Sequence, residues 1–244
     1  MVQSRVFAVA RAGILAGLAA GFAMGLFHFV VTEPIINRAI AIEEAAAASS
    51  GHDEVALVSR VVQEGMLVFG SVIYGAAAGM LFAVVFSLVG QRLPVRPEAR
   101  AVALAAILWL SSGLVPFLKY PANPPGVGDP ATMEYREAIQ FGFIGVSLFL
   151  AALAALVYWR LGRLRPGVLR AKRSLIAVSL YLAMAVVLLA VSPANPDEVT
   201  APAGLVWDFR IRSLFGQVLF WGVLGFASAW LLKRSRPAVP EAVR

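Results

Sequence analysis

Six apolar runs alternate with polar segments along the chain, and none of the six contains Asp, Glu, Lys or Arg. A helix needs about 20 consecutive apolar residues to cross a bilayer. The pattern therefore predicts an all-α integral membrane protein with six transmembrane helices. The predicted spans are residues 12–31, 66–89, 101–118, 139–158, 174–191 and 213–232.

Two short motifs recur at the ends of these runs. Phe-Gly opens three runs, at 69–70, 141–142 and 215–216, with spacings of 72 and 74 residues. The tetrapeptide PANP occurs at 121–124 and 193–196, and each copy ends an apolar run. The recurrence predicts three tandem helical hairpins at about 5–92, 98–163 and 172–234, forming one transmembrane domain over 1–244 with a flexible tail at 235–244.

The longest polar segment separates the first two spans. Residues 35–48 are rich in Ala and favour a helix, which Ser49, Ser50 and Gly51 interrupt. Asp53 is suited to cap a second helix, in which valines at helical spacing predict an amphipathic face leading into the second span. His52 lies in the polar break, where we expect it to be solvated.

The distribution of charge indicates an orientation. With the N-terminus inside, 15 of the 21 Lys and Arg residues fall on one face, which is the positive-inside pattern and predicts two cytoplasmic termini. The basic clusters then face anionic lipid headgroups rather than nucleic acid. Twelve of the 14 acids fall on the other face. They either attract cations to that face or only solubilise its loops.

Composition excludes several classes of function. With 60% hydrophobic and 14% charged residues, the chain is not an ordinary soluble domain. It has no cysteine, which excludes thiolate metal sites, and no GxxxxGK[ST] loop for nucleotide hydrolysis. The first run resembles a signal peptide in its flanking charge, but its length favours a retained span.

Glycines recur every four residues on one face of the first span. This spacing lets a second helix approach backbone to backbone. Two glycines in the second span offer a matching face, so we expect tight packing of these spans or of two protomers in a homo-oligomer. The residues are Gly13, Gly17, Gly21, Gly25, Gly75 and Gly79.

The first span contains candidate metal ligands near one end. His28 is the only histidine in a span and shares a helix face with Met24 and Thr32, while Glu33 follows directly. Imidazole and thioether ligands suit cobalt, nickel or copper. The alternative is an interfacial histidine bonded to a carbonyl.

The PANP segments supply oxygen atoms. Proline lacks an N–H group and leaves the carbonyl four residues earlier without its helical partner. With the side chains of Asn123, Asp129 and Asn195, such carbonyls form a candidate cation-binding rim. The alternative is that the prolines only end helices at the membrane surface.

Charged residues also align before the three Phe-Gly pairs. If the hairpins pack around a pseudo-threefold axis, Glu64 faces Arg136 and Arg210, while Glu134 approaches Asp208. These five residues are predicted to form an ion-pair ring that closes the outer end of the bundle. Its role is either structural pairing or gating.

Three segments resemble the CbtA-type predicted cobalt transporter subunits. They are HFVVTEPII at 28–36, with Glu43 and Glu44 following, LKYPANPPGVGDP at 118–130, and SPANPDEV at 192–199. The resemblance covers nearly the whole chain. It implies a multi-pass protein of the cell (inner) membrane that takes up cobalt for corrinoid synthesis, with Co²⁺ as substrate and no permanently bound cofactor. It also implies a small single-span partner subunit rich in histidine.

We therefore expect the membrane subunit of a divalent metal uptake system, and not an enzyme. Two rival functions remain at this stage. One is a membrane scaffold or assembly partner that transports nothing, which the uncharged spans favour. The other is a metal-dependent membrane enzyme, which needs more clustered ligands than one histidine and scattered acids provide.

Overall fold

A computed structural model describes residues 2–50 and 58–235, and this part of the chain folds into helices and connecting turns without a β-strand. Short 3₁₀ turns at Gly90–Arg92, Pro97–Ala99 and Pro130–Thr132 join some of the helices. The α-helices in this part are α1 (Val2–Phe27), α2 (Glu33–Ser50), α3 (Arg60–Val89), α4 (Arg100–Trp109), α5 (Val115–Lys119), α6 (Met133–Leu164), α7 (Arg170–Val191) and α8 (Ala203–Arg234).

Six helical segments of the described chain are long and apolar enough to cross a membrane, which confirms the six predicted spans. Each predicted span lies within one segment, and most segments extend beyond it in both directions. The segments are Val6–Ala45, Arg60–Arg92, Pro97–Lys119, Pro130–Leu164, Arg170–Val191 and Ala203–Arg234.

The first span does not end where its apolar run ends. The helical path continues through His28–Thr32 into α2, so the predicted helix at 35–48 is a direct extension of the span. The predicted helix starting at Asp53 and residue His52 lie outside the described residues, as do residues 236–244 of the predicted tail. The described part of the second span's helix begins at Arg60.

Two spans contain a wider π-helical turn at a similar place relative to a proline. The turns are His28–Thr32 and Leu110–Leu114, and Pro34 and Pro116 each stand two residues beyond the end of the turn. Because proline removes one helical hydrogen bond, the backbone next to it is free to widen. π-Helical turns of this kind are frequent at functional sites.

Contacts divide the chain into two units, each built from separate segments. The first comprises the described parts of Met1–Phe29, Val58–Ala106 and Gly216–Arg244. The second comprises the described parts of Val30–Leu57 and Ile107–Phe215. The division into three hairpins stays a prediction.

In the first unit, α1 and α3 meet along their glycines. A Cβ atom on Gly17 would stand 2.9 Å from Cα of Gly79, and one on Gly75 would stand 2.8 Å from Cα of Gly21. Real Cβ atoms do not approach other atoms this closely, so the two backbones touch. At Gly25 a Cβ atom would stand 3.0 Å from Cα of Val68, so the contact continues there. The two glycine series therefore form one continuous contact within the chain.

The second unit has two small buried clusters. One joins α2 to α8 through Ile35, Ala39 and Leu205. The other joins α5, α6 and α7, where the hydroxyl groups of Ser147 and Tyr181 share a hydrogen bond of 3.0 Å. Both polar side chains are almost fully buried. The bond therefore fixes the register of α6 against α7.

Candidate functional site

His28 stands at the first residue of the π-helical turn, in the first unit. Its ring packs edge-on against Phe27, with the two centroids 5.5 Å apart. It also lies against Gly216 of α8, where a Cβ atom would be 2.5 Å from Cε1 of the imidazole. The bare backbone of Gly216 therefore provides the space that the imidazole occupies.

Thr32 and Glu33 follow at the end of the same turn, within the second unit. Both are buried, with relative exposures of 2% and 6%. Arg212 of α8 donates a hydrogen bond to the carbonyl oxygen of Val31, one residue earlier. A guanidinium thus satisfies a backbone oxygen of the widened helical turn.

The two PANP segments come together in the second unit. Nζ of Lys119 donates to the carbonyl oxygen of Leu189 over 2.9 Å, and this is one of the carbonyls that proline was predicted to release. The hydroxyl of Tyr120 donates to the carbonyl oxygen of Pro193 over 2.8 Å. The helix ends before the two segments are therefore tied by direct hydrogen bonds.

The phenol of Tyr120 is suited to this role. Burial raises its pKa from the ordinary value near 10, and the neighbouring Tyr135 raises it further. The hydroxyl is protonated at physiological pH, and the raised pKa keeps it a hydrogen-bond donor to a higher pH than in a free tyrosine.

Asn123 in the first PANP segment is held by Arg210. Nη2 of the arginine donates to Oδ1 of Asn123 over 2.8 Å. Its Nε donates to the carbonyl oxygen of Ala122 over 3.4 Å. One oxygen of the predicted rim, Oδ1 of Asn123, is thus occupied by a cationic group of the protein itself, together with the carbonyl oxygen beside it.

Asp197, directly after the second PANP segment, is the centre of a polar network. Its side chain is only 6% exposed, and Oδ2 forms an ion pair of 3.0 Å with Nε of Arg136. The carboxylate accepts hydrogen bonds from the hydroxyl of Thr132 at 2.8 Å and the backbone N–H of Asp129 at 3.1 Å. One buried acid therefore connects the second PANP segment to the start of α6.

Asp129 and Asn195 use their side chains locally. Oδ1 of Asp129 accepts from the N–H of Ala131 over 2.8 Å and caps the 3₁₀ turn before α6. Oδ1 of Asn195 accepts from the N–H of Asp197 over 3.2 Å. In each of these two candidate ligands, one side-chain oxygen accepts a hydrogen bond from the backbone of its own loop.

Two glycines let the PPGVGDP loop pass close to charged side chains. Gly128 has φ of 106°, and a Cβ atom there would be 2.7 Å from Oδ2 of Asp197. Gly126 has φ of 74° and lies against the carboxylate of Glu43 in α2. Both positions require glycine for conformation and for space.

Three members of the predicted ring have partners other than the ones predicted for them. Arg136 pairs with Asp197, and Arg210 binds the first PANP segment. Glu64 pairs with Arg60, one turn earlier on its own helix, at 3.9 Å. Glu134 is exposed in the first turn of α6, and Asp208 is half-buried on α8. The ring as such remains a prediction.

Several residues of the network were not anticipated from the sequence. Asp197 was overlooked because the first copy of the motif has Pro125 at the matching place. Lys119 and Tyr120 follow the third predicted span directly, and the sequence pattern predicts no role for their side chains. The sequence does distinguish Asp197, because it is the first acid after Glu137 and directly follows the second PANP segment.

Within the described residues, no three His, Cys, Asp or Glu side chains stand close enough together to hold a metal ion. The polar atoms near the PANP segments are mainly carbonyl and amide oxygens, with arginine and lysine donors among them.

The family model CbtA, described as probable cobalt transporter subunit, matches residues 8–233. No curated protein and no solved structure matches the chain.

Proposed function

This chain belongs to the CbtA family of probable cobalt transporter subunits, and we propose that it is the membrane subunit of a cobalt uptake system that supports corrinoid synthesis. The observation that carries the proposal is the extent of the match, which includes all six apolar helices. In this role Co²⁺ is the transported substrate, and the chain has no catalytic function.

We place the protein in the cell (inner) membrane with both termini in the cytoplasm. The excess of Lys and Arg on one side of the predicted topology supports this orientation. The PANP segments then lie on the outer side, where cobalt arrives. A small single-span subunit with a histidine-rich segment is the proposed partner, and it would supply the imidazole ligands in which this chain is poor.

Cobalt is proposed to meet the chain at His28, Glu33, Asn123, Asp129 and Asn195. Oδ1 of Asn123 is bonded to Arg210, so an arriving cation has to compete with a guanidinium for this oxygen. Competition of this kind weakens the binding of the ion. Weak binding suits transport, because an ion has to leave each site as well as enter it.

The charged residues around these segments are proposed to control access. Asn123 anchors Arg210 and Asp197 anchors Arg136, so one guanidinium is held at each PANP segment. Movement of either arginine would expose oxygens to a cation. The remaining members of the proposed gate are Glu64, Glu134 and Asp208.

The membrane potential is a sufficient driving force. A divalent cation that moves inward across 100 mV gains about 4.6 kcal/mol, which corresponds to roughly a thousandfold accumulation. The chain then needs only to provide a selective path.

Cobalt accumulation in cells tests the proposal. Cells that express the chain, alone and with the small subunit, are incubated with cobalt, and cell-associated metal is measured by mass spectrometry. We expect more cobalt than in cells with empty vector, and loss of this increment after an uncoupler collapses the membrane potential.

A second candidate function is a membrane scaffold that transports no metal. It is favoured by the occupation of the rim oxygens by Lys119 and Arg210. Absence of a cobalt increment both with and without the small subunit, from protein that is present in the membrane, would favour the scaffold. Separate H28A and D129A variants with unchanged uptake would remove these two residues from the proposed ligands.

A further inference from the structure

The turn between α6 and α7 concentrates positive charge. Six basic residues lie within residues 160–173, and the sequence contains no Asp or Glu between Glu137 and Asp197. All but Arg173 are exposed. The turn therefore presents a cationic surface that no acid of its own segment neutralises. The six are Arg160, Arg163, Arg165, Arg170, Lys172 and Arg173.

Arg173 differs from the other five because its side chain is held in one position. Its guanidinium carbon lies 5.4 Å from the ring centroid of Tyr158. A Cβ atom on Gly162 would overlap Nη1 of the arginine, so the guanidinium also rests on the bare backbone of α6. We call this arrangement of Tyr158, Gly162 and Arg173 the arginine cradle.

One nitrogen of the cradle's guanidinium lacks a hydrogen-bond acceptor among the described residues. Nε of Arg173 is buried and has no hydrogen-bond partner among the described residues. Buried donors without a partner are uncommon in folded proteins, so this nitrogen is a candidate for binding an acceptor from outside the chain. A guanidinium with a fixed plane is well suited to bind a phosphate group.

The surroundings of the cradle are those of a membrane surface. Leu164 and Leu169 flank the turn and are 73% and 75% exposed. Trp159 stands beside Tyr158 near the end of α6, as aromatic residues do at the level of lipid headgroups. Exposed leucines next to arginines match the boundary between headgroups and acyl chains, and a soluble anion would leave them in water.

We propose that the arginine cradle binds the phosphate of an anionic phospholipid, with Leu164 and Leu169 contacting its acyl chains. The site is independent of the path of cobalt and does not depend on the proposed transport function.

Lipid binding to the purified full-length chain tests the proposal. The protein is delipidated in a mild detergent and titrated with phosphatidylglycerol or with phosphatidylcholine, and bound lipid is counted by native mass spectrometry. Wild-type protein is expected to bind phosphatidylglycerol in preference to phosphatidylcholine.

Two pairs of variants separate the cradle from general attraction of charge. Gly162→Ala displaces the guanidinium without changing any charge, and Gly167→Ala is its control, because no described heavy atom lies within 4 Å of a Cβ there. Arg173→Ala and Lys172→Ala each remove one charge from the same turn. We expect Gly162→Ala and Arg173→Ala to weaken binding of phosphatidylglycerol about tenfold, and the two controls to change it by less than about twofold.

The proposal is overturned if Gly162→Ala binds like wild type, or if Arg173→Ala and Lys172→Ala lose binding equally. It is also overturned if millimolar inorganic phosphate displaces phosphatidylglycerol from the wild-type protein, because the site would then take a soluble anion. Circular dichroism and gel filtration establish that each variant is folded. If Arg173→Ala does not fold, Gly162→Ala carries the test, since its methyl group meets only the end of a flexible side chain.

Discussion

Gly216 of α8 and His28 of the π-helical turn are in direct contact, and a Cβ atom on the glycine would stand 2.5 Å from Cε1 of the imidazole. Gly216 belongs to the third Phe-Gly pair. The glycines of the other two pairs, Gly70 and Gly142, have no described heavy atom within 4 Å of such a Cβ. The three pairs are thus equivalent in sequence, but only one of them accommodates the histidine.

Substitution of Gly216 by Ala is expected to displace His28 and to lower cobalt uptake roughly tenfold, as loss of a residue that positions a ligand does. Uptake at saturating and limiting cobalt measures the effect. Because both changes act on one contact, the double variant with His28→Ala should be no worse than the more severe single variant.

Gly70→Ala and Gly142→Ala are the matched controls for this experiment and should leave uptake unchanged. Additive losses in the double variant, or equal losses in the controls, would show that Gly216 does not act through His28.

Gly17→Ala is expected to destabilise the protein by about 1–3 kcal/mol. The added methyl group would meet the backbone of α3, which has no rotamer to adjust, so the helices have to separate. The measurement is unfolding in detergent by heat or denaturant. Gly145→Ala, with open space around it, is the control; equal stability of the two variants would contradict the backbone contact.

Asp197→Ala is expected to cost about 1–3 kcal/mol, because it leaves Thr132 and Arg136 without their shared acceptor. The guanidinium of Arg136 is a quarter exposed, so solvent reduces the penalty below that of a fully buried pair. In a double-mutant cycle, Arg136→Ala and Asp197→Ala together should cost less than their sum. The exposed neighbour Glu198 provides the control variant Glu198→Ala, and strictly additive losses would argue against the ion pair.

Tyr120→Phe is expected to lose about 1 kcal/mol of stability through the missing bond to Pro193. Burial raises the pKa of Tyr120 above the unfolded value of about 10. Its contribution is therefore present below about pH 10 and is lost as the pH rises through the folded-state value. The melting difference between wild type and variant should stay constant from about pH 6 to 9 and shrink above about pH 10. A difference that changes near neutral pH would contradict this assignment.

The six spans were predictable because length and lack of charge suffice to define them. Their true ends were harder to predict. Residues 33–50 continue the first span because a helix does not have to stop when polar residues begin, as long as its backbone hydrogen bonds are made.

The polar network was only partly predictable. The recurrence of PANP indicated that the two segments serve a similar purpose, and the structure brings them together. The partners of Arg136 and Arg210 depend on which residues the fold places within reach. An alignment of the repeated motifs could not identify Asp197, because that residue has no acidic counterpart in the first PANP copy.

The π-helical turns were also missed. Pro34 and Pro116 are visible in the sequence, but a proline in a membrane helix is compatible with a kink, a wider turn or a tightened turn. Which of these forms depends on neighbouring side chains such as Arg212, which binds the carbonyl of Val31.

The glycine contact between α1 and α3 has a consequence for biogenesis. Glycine has no side-chain rotamers to lose, so these two helices can associate with a smaller entropic cost than helices that pack through long side chains. Both helices precede the other four apolar helical segments in the sequence. The pair can therefore form before those segments are synthesised and serve as a template on which they assemble.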